Sequence, residues 1–284
     1  MTTALAPRRM AVEMHSPVAD RLANYIAANR FTAPCVTLQP DTCQGRTLAL
    51  CGAGPSLAKH VIEGVDDVWA CNSALPYLTG KGVRVTAGVG IDQTPGLLRE
   101  WASAPDVPYY LASSVDPALV AHLRAHGRRV AFFHNAVGLA DEFDTYCRTW
   151  PPTFMVGQGS TVVSRVLGLA FWLGYERVDV YGEDCCLAPG DVAHANGDVA
   201  TVAYINPLIM SGEVNGRTYR TRPDMLMAAV DLVRRVREYA GRVRLIGDTL
   251  PVALLGKPEA YLQEVCRRLA PNELPPGDGA ADKE

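Results

Sequence analysis

Apolar and polar positions along the chain fall into two alternating rhythms. Short runs that are almost wholly apolar, at Thr47–Gly52 (TLALCG), Asp67–Cys71 (DVWAC), Arg84–Asp92 (RVTAGVGID), Val107–Leu111, Arg129–Phe133 and Arg177–Tyr181, carry the signature of strands buried on both faces. Between them lie stretches with helical spacing: one from Pro55, then Ser73–Thr79, Pro117–His126 and Ser160–Leu173. The last is the longest and most apolar, and Gly174 closes it. Strands alternating with helices predict a mostly parallel sheet with helices on both faces. Right-handed crossovers then make the fold α/β and Rossmann-like.

The alternation breaks after Asp184. Asn215-Gly216, between IMSGEV and RTYRT, predicts a hairpin closed by a type I′ turn. Residues 185–222 therefore read as a loop and β-hairpin inserted near the ligand-binding edge of the sheet. An amphipathic helix follows at Pro223–Tyr239, then a last strand at Val243–Ile246 and a closing helix at Glu259–Leu269. Residues 1–45, with a helix over Val18–Asn29 and a linker containing Pro34, Pro40 and Gly45, read as a peripheral segment before a main domain at 46–270. The tail 271–284 is rich in Pro, Gly and acids and is expected to be disordered.

Composition narrows the function classes. The chain has 284 residues, 48% hydrophobic and 20% charged, which suits a globular protein with a sizeable core. A net charge of -3 gives no general attraction to nucleic acid or to an anionic membrane. Neither a secretory signal nor a membrane-length apolar run is apparent, and the eight cysteines lack zinc-type pairs at two-residue spacing. Reduced thiols and a cytoplasmic location are the expectation.

The chemistry gathers where strands end. Gly52-Ala53-Gly54-Pro55-Ser56 follows the first strand, but Leu57 stands where a dinucleotide fingerprint needs glycine, and Asn72 rather than an acid follows the second strand. The lysine spacing of a P-loop is also missing. The ingredients of a phosphate cradle remain. Gly52 and Gly54 allow close backbone approach, Pro55 suits a first helical turn, and Ser56 adds a hydroxyl near free N–H groups. The plain alternative is a tight turn with no ligand. On the cradle reading, a side chain at Gly54 blocks nucleotide binding and leaves the fold intact.

Four more clusters share that edge. Asn72-Ser73 ends the second strand and Asp92 the third. Gly157-Gln158-Gly159-Ser160-Thr161 opens the long helix, and Gly182-Glu183-Asp184 ends the strand after it, with His194 in the loop beyond. Ligands of open α/β sheets bind outside the carboxyl ends of strands, so this clustering favours a real site. Asp92 and Asp184 are candidates to hold Mg²⁺ between donor phosphates; alternatively Asp92 caps a helix and Asp184 stabilises a loop. His194 is the candidate general base, with Asp184 able to take that role and His134 a second histidine of the same kind. His60, His122 and His126 read as surface residues on helices. Arg217, Arg220 and Arg222 flank the hairpin, ready either for phosphates or an acidic acceptor, or simply for solvent. Arg234, Arg235 and Arg237 read as a solvated helix face.

Taken in order, CGAGPSL, ACNSALPYL, VTAGVGID and GQGSTVVSRVLGLAFWLGYERVDVYGEDCCL with HANG resemble the 6-hydroxymethylpterin diphosphokinase-like (MptE-like) family. That family is related to bacterial sialyltransferases and motility accessory glycosyltransferases. The resemblance spans roughly Leu48 to Gly197. It implies a Rossmann-like transferase in which Gly52, Gly54, Pro55, Ser56, Asn72, Ser73, Gly159, Ser160 and Thr161 belong to a nucleotide site. Relatives often carry two glycines directly before the Ser-Thr, where this chain has Gly157-Gln158-Gly159. The leading expectation is transfer of a diphosphate group from ATP to a hydroxyl of a small acceptor, with Mg²⁺. The alternatives are a glycosyltransferase using a CMP- or other nucleotide-sugar donor, and a nucleotide-binding module without catalysis.

Overall fold

The apolar runs pair side by side into one sheet. In the computed structural model, which describes residues 19–32, 38–135, 144, 146, 155–156, 159–197 and 209–269, the strands are β1 (Thr47–Cys51), β2 (Asp67–Cys71), β3 (Ala87–Gly90), β4 (Tyr109–Ala112), β5 (Val130–Asn135), β6 (Met155–Val156), β7 (Arg177–Tyr181), β8 (Met210–Val214), β9 (Arg217–Thr221) and β10 (Val243–Leu245). The helices are α1 (Ala19–Thr32), α2 (Ala74–Gly80), α3 (Gly96–Glu100), α4 (Pro117–Ala125), α5 (Val162–Trp172), α6 (Pro223–Glu238), α7 (Leu250–Leu255) and α8 (Glu259–Leu269). The main sheet runs β10-β7-β1-β2-β3-β4-β5-β6, every pair parallel, with β6 adding only a short edge. Among the described residues no helix is long and apolar enough to cross a membrane.

This order decides where a ligand binds. The chain leaves β1 toward β2 on one side, and after β6 it returns along α5 to β7 on the other side. Strand order therefore reverses between β1 and β7, and the crevice of the sheet opens at their carboxyl ends. Packing keeps this frame rigid. Trp69 of β2 meets Tyr110 edge-on, with ring centroids 5.0 Å apart, and Tyr175 at 5.5 Å. On β3, a Cβ at Gly90 would lie 2.5 Å from Leu97 and 3.0 Å from Trp101, so α3 rests directly on the strand backbone.

The predicted helix from Pro55 is a single 3₁₀ turn, Pro55–Lys59, after which the chain is extended. Two β-branched residues, Val61 and Ile62, and then Gly64 follow, and they give a helix nothing to propagate on. Two short helices, α3 and α7, and the edge strand β6 have too few turns or residues for their periodicity to show in the sequence.

The N-terminal segment is better integrated than a peripheral linker. Ile26 of α1 is buried in the main core, and Asn29 donates to the carbonyls of Ser113 and Val115, 2.9 Å each. Asp41 and Cys43 donate their amides to the carbonyls of Trp172 and Leu173, closing the C-terminal end of α5. Val18 and the tail 271–284 lie outside the described residues.

The hairpin β8–β9 has the expected turn, with φ of 54° at Asn215 and 75° at Gly216. It meets the segment that follows β7, the Leu187 amide donating to the Arg220 carbonyl and the Thr221 hydroxyl to the Cys185 carbonyl, both at 2.8 Å. Val214 and Tyr219 pack with Leu226 and Val230 of α6, Leu254 of α7 and Leu262 of α8 in a second apolar cluster. Arg234 and Arg237 also differ from a solvated face: both pair with Glu259 and tie α6 to α8.

One buried charge inside the sheet is open to a direct test. Asp179 of β7 is 0% exposed and is held by Arg244, at 2.7 and 2.5 Å, and by Arg177, at 3.2 Å. Replacing both arginines by Met strands a carboxylate in the core. Denaturant unfolding at neutral pH is expected to show a loss of about 3–5 kcal/mol.

Candidate functional site

The crevice begins where the β1–β7 ladder runs past the ends of its strands. Gly52 N–H donates to the Tyr181 carbonyl (2.8 Å), and Gly54 N–H donates to the Gly182 carbonyl (2.7 Å). Asp184 then turns its carboxylate onto the start of the 3₁₀ turn. It accepts from the Ser56 amide, at 3.2 and 3.1 Å, and from the Ser56 hydroxyl, at 2.8 Å. These are the free donors that the sequence offers to a phosphate. The protein's own carboxylate fills the anion position.

The same substitution occurs at the second Gly/Ser segment. The amide of Ser160 donates to Asp231 of α6 at 2.9 Å. Thr161 caps α5, its hydroxyl accepting from the Ser164 amide at 3.2 Å. Gly159 gives its carbonyl to Arg165 (2.6 Å), whose guanidinium also reaches Asn135 at the end of β5 (2.6 Å). Gly157 and Gln158 lie outside the described residues.

The glycines of the first loop answer to this packing. A Cβ at Gly52 would stand 2.6 Å from the Gly182 carbonyl and 2.7 Å from the Glu183 carboxylate. At Gly54 it would fall onto the Asp184 carboxylate and lie 2.7 Å from the Gly182 carbonyl. A side chain at Gly54 thus collides with the loop after β7, which corrects the expectation that it leaves the fold intact.

Glu183, placed by the sequence in a strand-end cluster, is the residue to which sequence reasoning gave no role. Burial raises its carboxyl to about 7, the neighbouring Asp184 charge adds to the rise, and hydrogen bonds from the Thr161 hydroxyl and the Cys185 thiol oppose it. It therefore touches both loops of the crevice and the cap of α5. The signal was present in GED, but two adjacent carboxylates beyond a strand end have no fixed facing. Asp184 is also raised, chiefly by burial, against the Ser56 hydrogen bonds and the nearby Lys59 and His60.

Beyond β2 the chain is held in an uncommon conformation. Asn72 has a φ of 46°, its amide donates to Val89, and its carbonyl accepts from the Trp101 indole at 2.9 Å. Its side-chain oxygen is buried with no hydrogen-bond partner. Residues after β7 fold back over this edge, the Ala195 amide donating to the Ala53 carbonyl at 2.8 Å. A cleft of about 360 Å³ results, lined by Ser73, Pro76, Tyr77, Glu100, His194 and Asn196. Ser73 and His194, far apart in sequence, thus share one cavity.

Other candidates are drawn elsewhere. His134 is buried, bonds the Ser113 hydroxyl at 2.9 Å and stacks on Tyr146; burial lowers it to about 4. It is a packing residue and not a base at the cleft. His60 follows the 3₁₀ turn instead of riding a helix, and its ring sits against Gly247. Arg217, Arg220 and Arg222 are paired with Asp248, Asp191 and Asp224, so the hairpin arginines answer to carboxylates of this chain.

Asp92 accepts from the Thr94 amide at 2.9 Å in a local turn. It leaves the sheet on β3, three strand intervals from the Asp184 strand β7, roughly 14 Å at normal strand spacing. Asp184 spends both oxygens on Ser56. Asp92 and Asp184 as they stand therefore do not fit one shared Mg²⁺. Among the described residues no group of three or more His, Cys, Asp or Glu side chains is arranged to hold a metal.

Comparison with known proteins follows the same outline. The family described as 6-hydroxymethylpterin diphosphokinase MptE-like matches residues 23–190. Among solved structures the chain is similar to the MAf glycosyltransferase from Magnetospirillum magneticum AMB-1. The TM-score is 0.59 at 15% identity, over 88% of this chain and 42% of that one. The chain thus spans less than half the length of that protein, and the likeness is one of fold. No curated protein matches the sequence.

Two outcomes test this geometry. Gly54→Val is expected to lower thermal stability by displacing Asp184, a loss of roughly 1–3 kcal/mol by denaturant unfolding, whether or not nucleotide is added. For Glu183, the folded carboxyl binds its proton more tightly than the unfolded one. The stabilisation is complete below the ordinary value of 4.5 and disappears as pH rises through about 7. Glu183→Gln should therefore gain stability relative to the parent between those two pH values. Parallel pH–stability curves would refute the assignment.

Proposed function

The chain belongs to the MptE-like family, and from that premise we propose that it transfers an activated group from a nucleotide donor to a hydroxyl of a small acceptor. One observation carries this reading: the loop after β7 is pinned to the Gly-rich loop through Ala195 and Ala53, which sets His194 in the cleft that Ser73 opens. The donor lies along the crevice beside Gly52–Gly54 and Asn72. The acceptor enters the cleft, and the His194 imidazole takes the proton of its hydroxyl. Asp184 is a positioning residue, fixing the first loop through Ser56. Glu183, joined to Thr161, holds the two sides of the crevice together.

Charge favours one type of donor. The amides of Ser56 and Ser160 are spent on Asp184 and Asp231, and the hairpin arginines are spent on aspartates. A triphosphate brings several negative charges to an edge already supplied with acids. A sugar linked to a nucleoside monophosphate brings one. Glycosyl transfer then proceeds by attack of the acceptor oxygen on the anomeric carbon, the nucleoside monophosphate departing with the bonding electron pair. The fold shared with a glycosyltransferase supports this form. The family match supports a second form, diphosphate transfer from ATP. In that form Mg²⁺ would travel with the ATP phosphates, since Asp92 and Asp184 do not fit one shared ion.

Donor profiling separates the forms. Release of CMP from a CMP-sugar, without added metal, is expected. His194→Ala should lower that turnover by about 10²–10⁴ while nucleotide affinity by calorimetry stays within roughly twofold. AMP release from ATP would instead establish diphosphate transfer. Nucleotide binding with no turnover of any donor would reduce the protein to a binding module.

A further inference from the structure

Two histidines outside the crevice are brought together by the end of α4. His122 and His126, in the segment HLRAH, lie one helical turn apart on one face, with ring centroids 4.4 Å apart. The His126 Nδ1 is 2.9 Å from the His122 carbonyl oxygen. A carbonyl only accepts, so the neutral imidazole carries its proton on Nδ1 and its lone pair on Nε2. The Nε2 of His122 is buried with no hydrogen-bond partner. Beneath the two rings the helix end is fixed. Gly127, at a φ of 71°, donates to the Arg124 carbonyl at 2.8 Å, and Arg128 donates to the Leu123 carbonyl at 2.9 Å.

Paired imidazoles at this spacing are ligands for borderline divalent ions such as Zn²⁺ and Ni²⁺, whereas Mg²⁺ prefers oxygen. Two imidazoles on one ion, with bonds of about 2.1 Å, set their ring centres roughly 4.5–5 Å apart, close to the spacing found. A backbone carbonyl on the far ring nitrogen, as at His126, is a usual partner of a metal-bound histidine. The negative end of the α4 dipole lies at the same point and favours a cation. Arg124, two positions from His122, falls on the other side of the helix. His126 is exposed, which gives an ion its entry. The chain passes from α4 into the start of β5, so the pair lies at the amino edge of the sheet, opposite the crevice.

We propose that His122 and His126 form a site for a borderline divalent ion, Zn²⁺ or Ni²⁺, with water in the remaining positions. The intervening Leu123-Arg124-Ala125 offers no carboxylate, so the site holds an ion without the base that hydrolytic zinc helices carry. It rests on nothing in the transferase reading.

The test uses the full chain without a histidine tag, titrated with Ni²⁺ and followed by NMR through the histidine ring C–H signals. Those of His122 and His126, assigned from His122→Gln and His126→Gln, are expected to broaden below about 100 μM Ni²⁺ and to ignore about 5 mM Mg²⁺. His126→Gln should weaken Ni²⁺ binding about tenfold or more, and His60→Gln should leave it unchanged. His126 is exposed, so its variant should melt like the parent when no metal is present. Silence of both signals up to about 1 mM Ni²⁺, an equal response to Mg²⁺, or full affinity in His126→Gln would overturn the proposal. So would Ni²⁺ binding that disappears when the half-buried thiols of Cys43, Cys186 and Cys266 are blocked.

Discussion

The Asp184 carboxylate on the amide and hydroxyl of Ser56 is the contact on which the carboxyl edge depends. A parallel sheet whose order reverses between β1 and β7 sends its two central loops in opposite directions and leaves their backbone donors open. Here the loop after β7 closes that gap itself. Its Gly182 carbonyl takes the Gly54 amide, its Asp184 carboxylate takes Ser56, and room for both exists only because residues 52 and 54 lack side chains. Glu183, between them, is drawn into the same narrow space and its proton is held more tightly for it.

Two helix starts completed by internal carboxylates change how the site handles charge. Backbone donors that would steady a phosphate are already occupied, so a ligand here is recognised by shape and by side chains more than by a bare anion hole. The remaining recognition sits on the β2 side. Asn72 is strained and carries an orphaned oxygen, while Ser73 and His194 border a cavity. Strain of this kind persists because Val89, Leu75 and Trp101 over-determine the Asn72 backbone. The second core beneath the hairpin serves a different purpose: it anchors α6, from which Asp231 reaches the start of α5.

Much of this architecture was legible in the residue pattern. Runs such as LALC (48–51) and VWAC (68–71) are apolar throughout because a parallel strand is covered on both faces, and Asn215-Gly216 is one of the few pairs that turns a hairpin with positive φ at two positions. The family resemblance was legible for the same reason, since it rides on strand ends and turns that are local in sequence. His194 and Ser73 were both named from sequence, but their sharing a cavity was not derivable from spacing. Glu183 was named only as part of its strand-end cluster and given no role, because the direction of a side chain past a strand end is set by what packs there.

The sequence by itself determined the longer elements, the parallel sheet and the edge at which the strand-end clusters gather, because strand and helix periods and turn residues are short-range properties. Tertiary structure alone decided that the glycines yield to a neighbouring loop, that Asp184 and Asp231 occupy the anion positions, and that the hairpin arginines are already paired. Hydrogen bonds and ion pairs between residues more than a hundred positions apart, such as Ser56 with Asp184, are selected by three-dimensional proximity and the need to satisfy buried donors. No local pattern records that competition between an internal carboxylate and an outside ligand for the same amide.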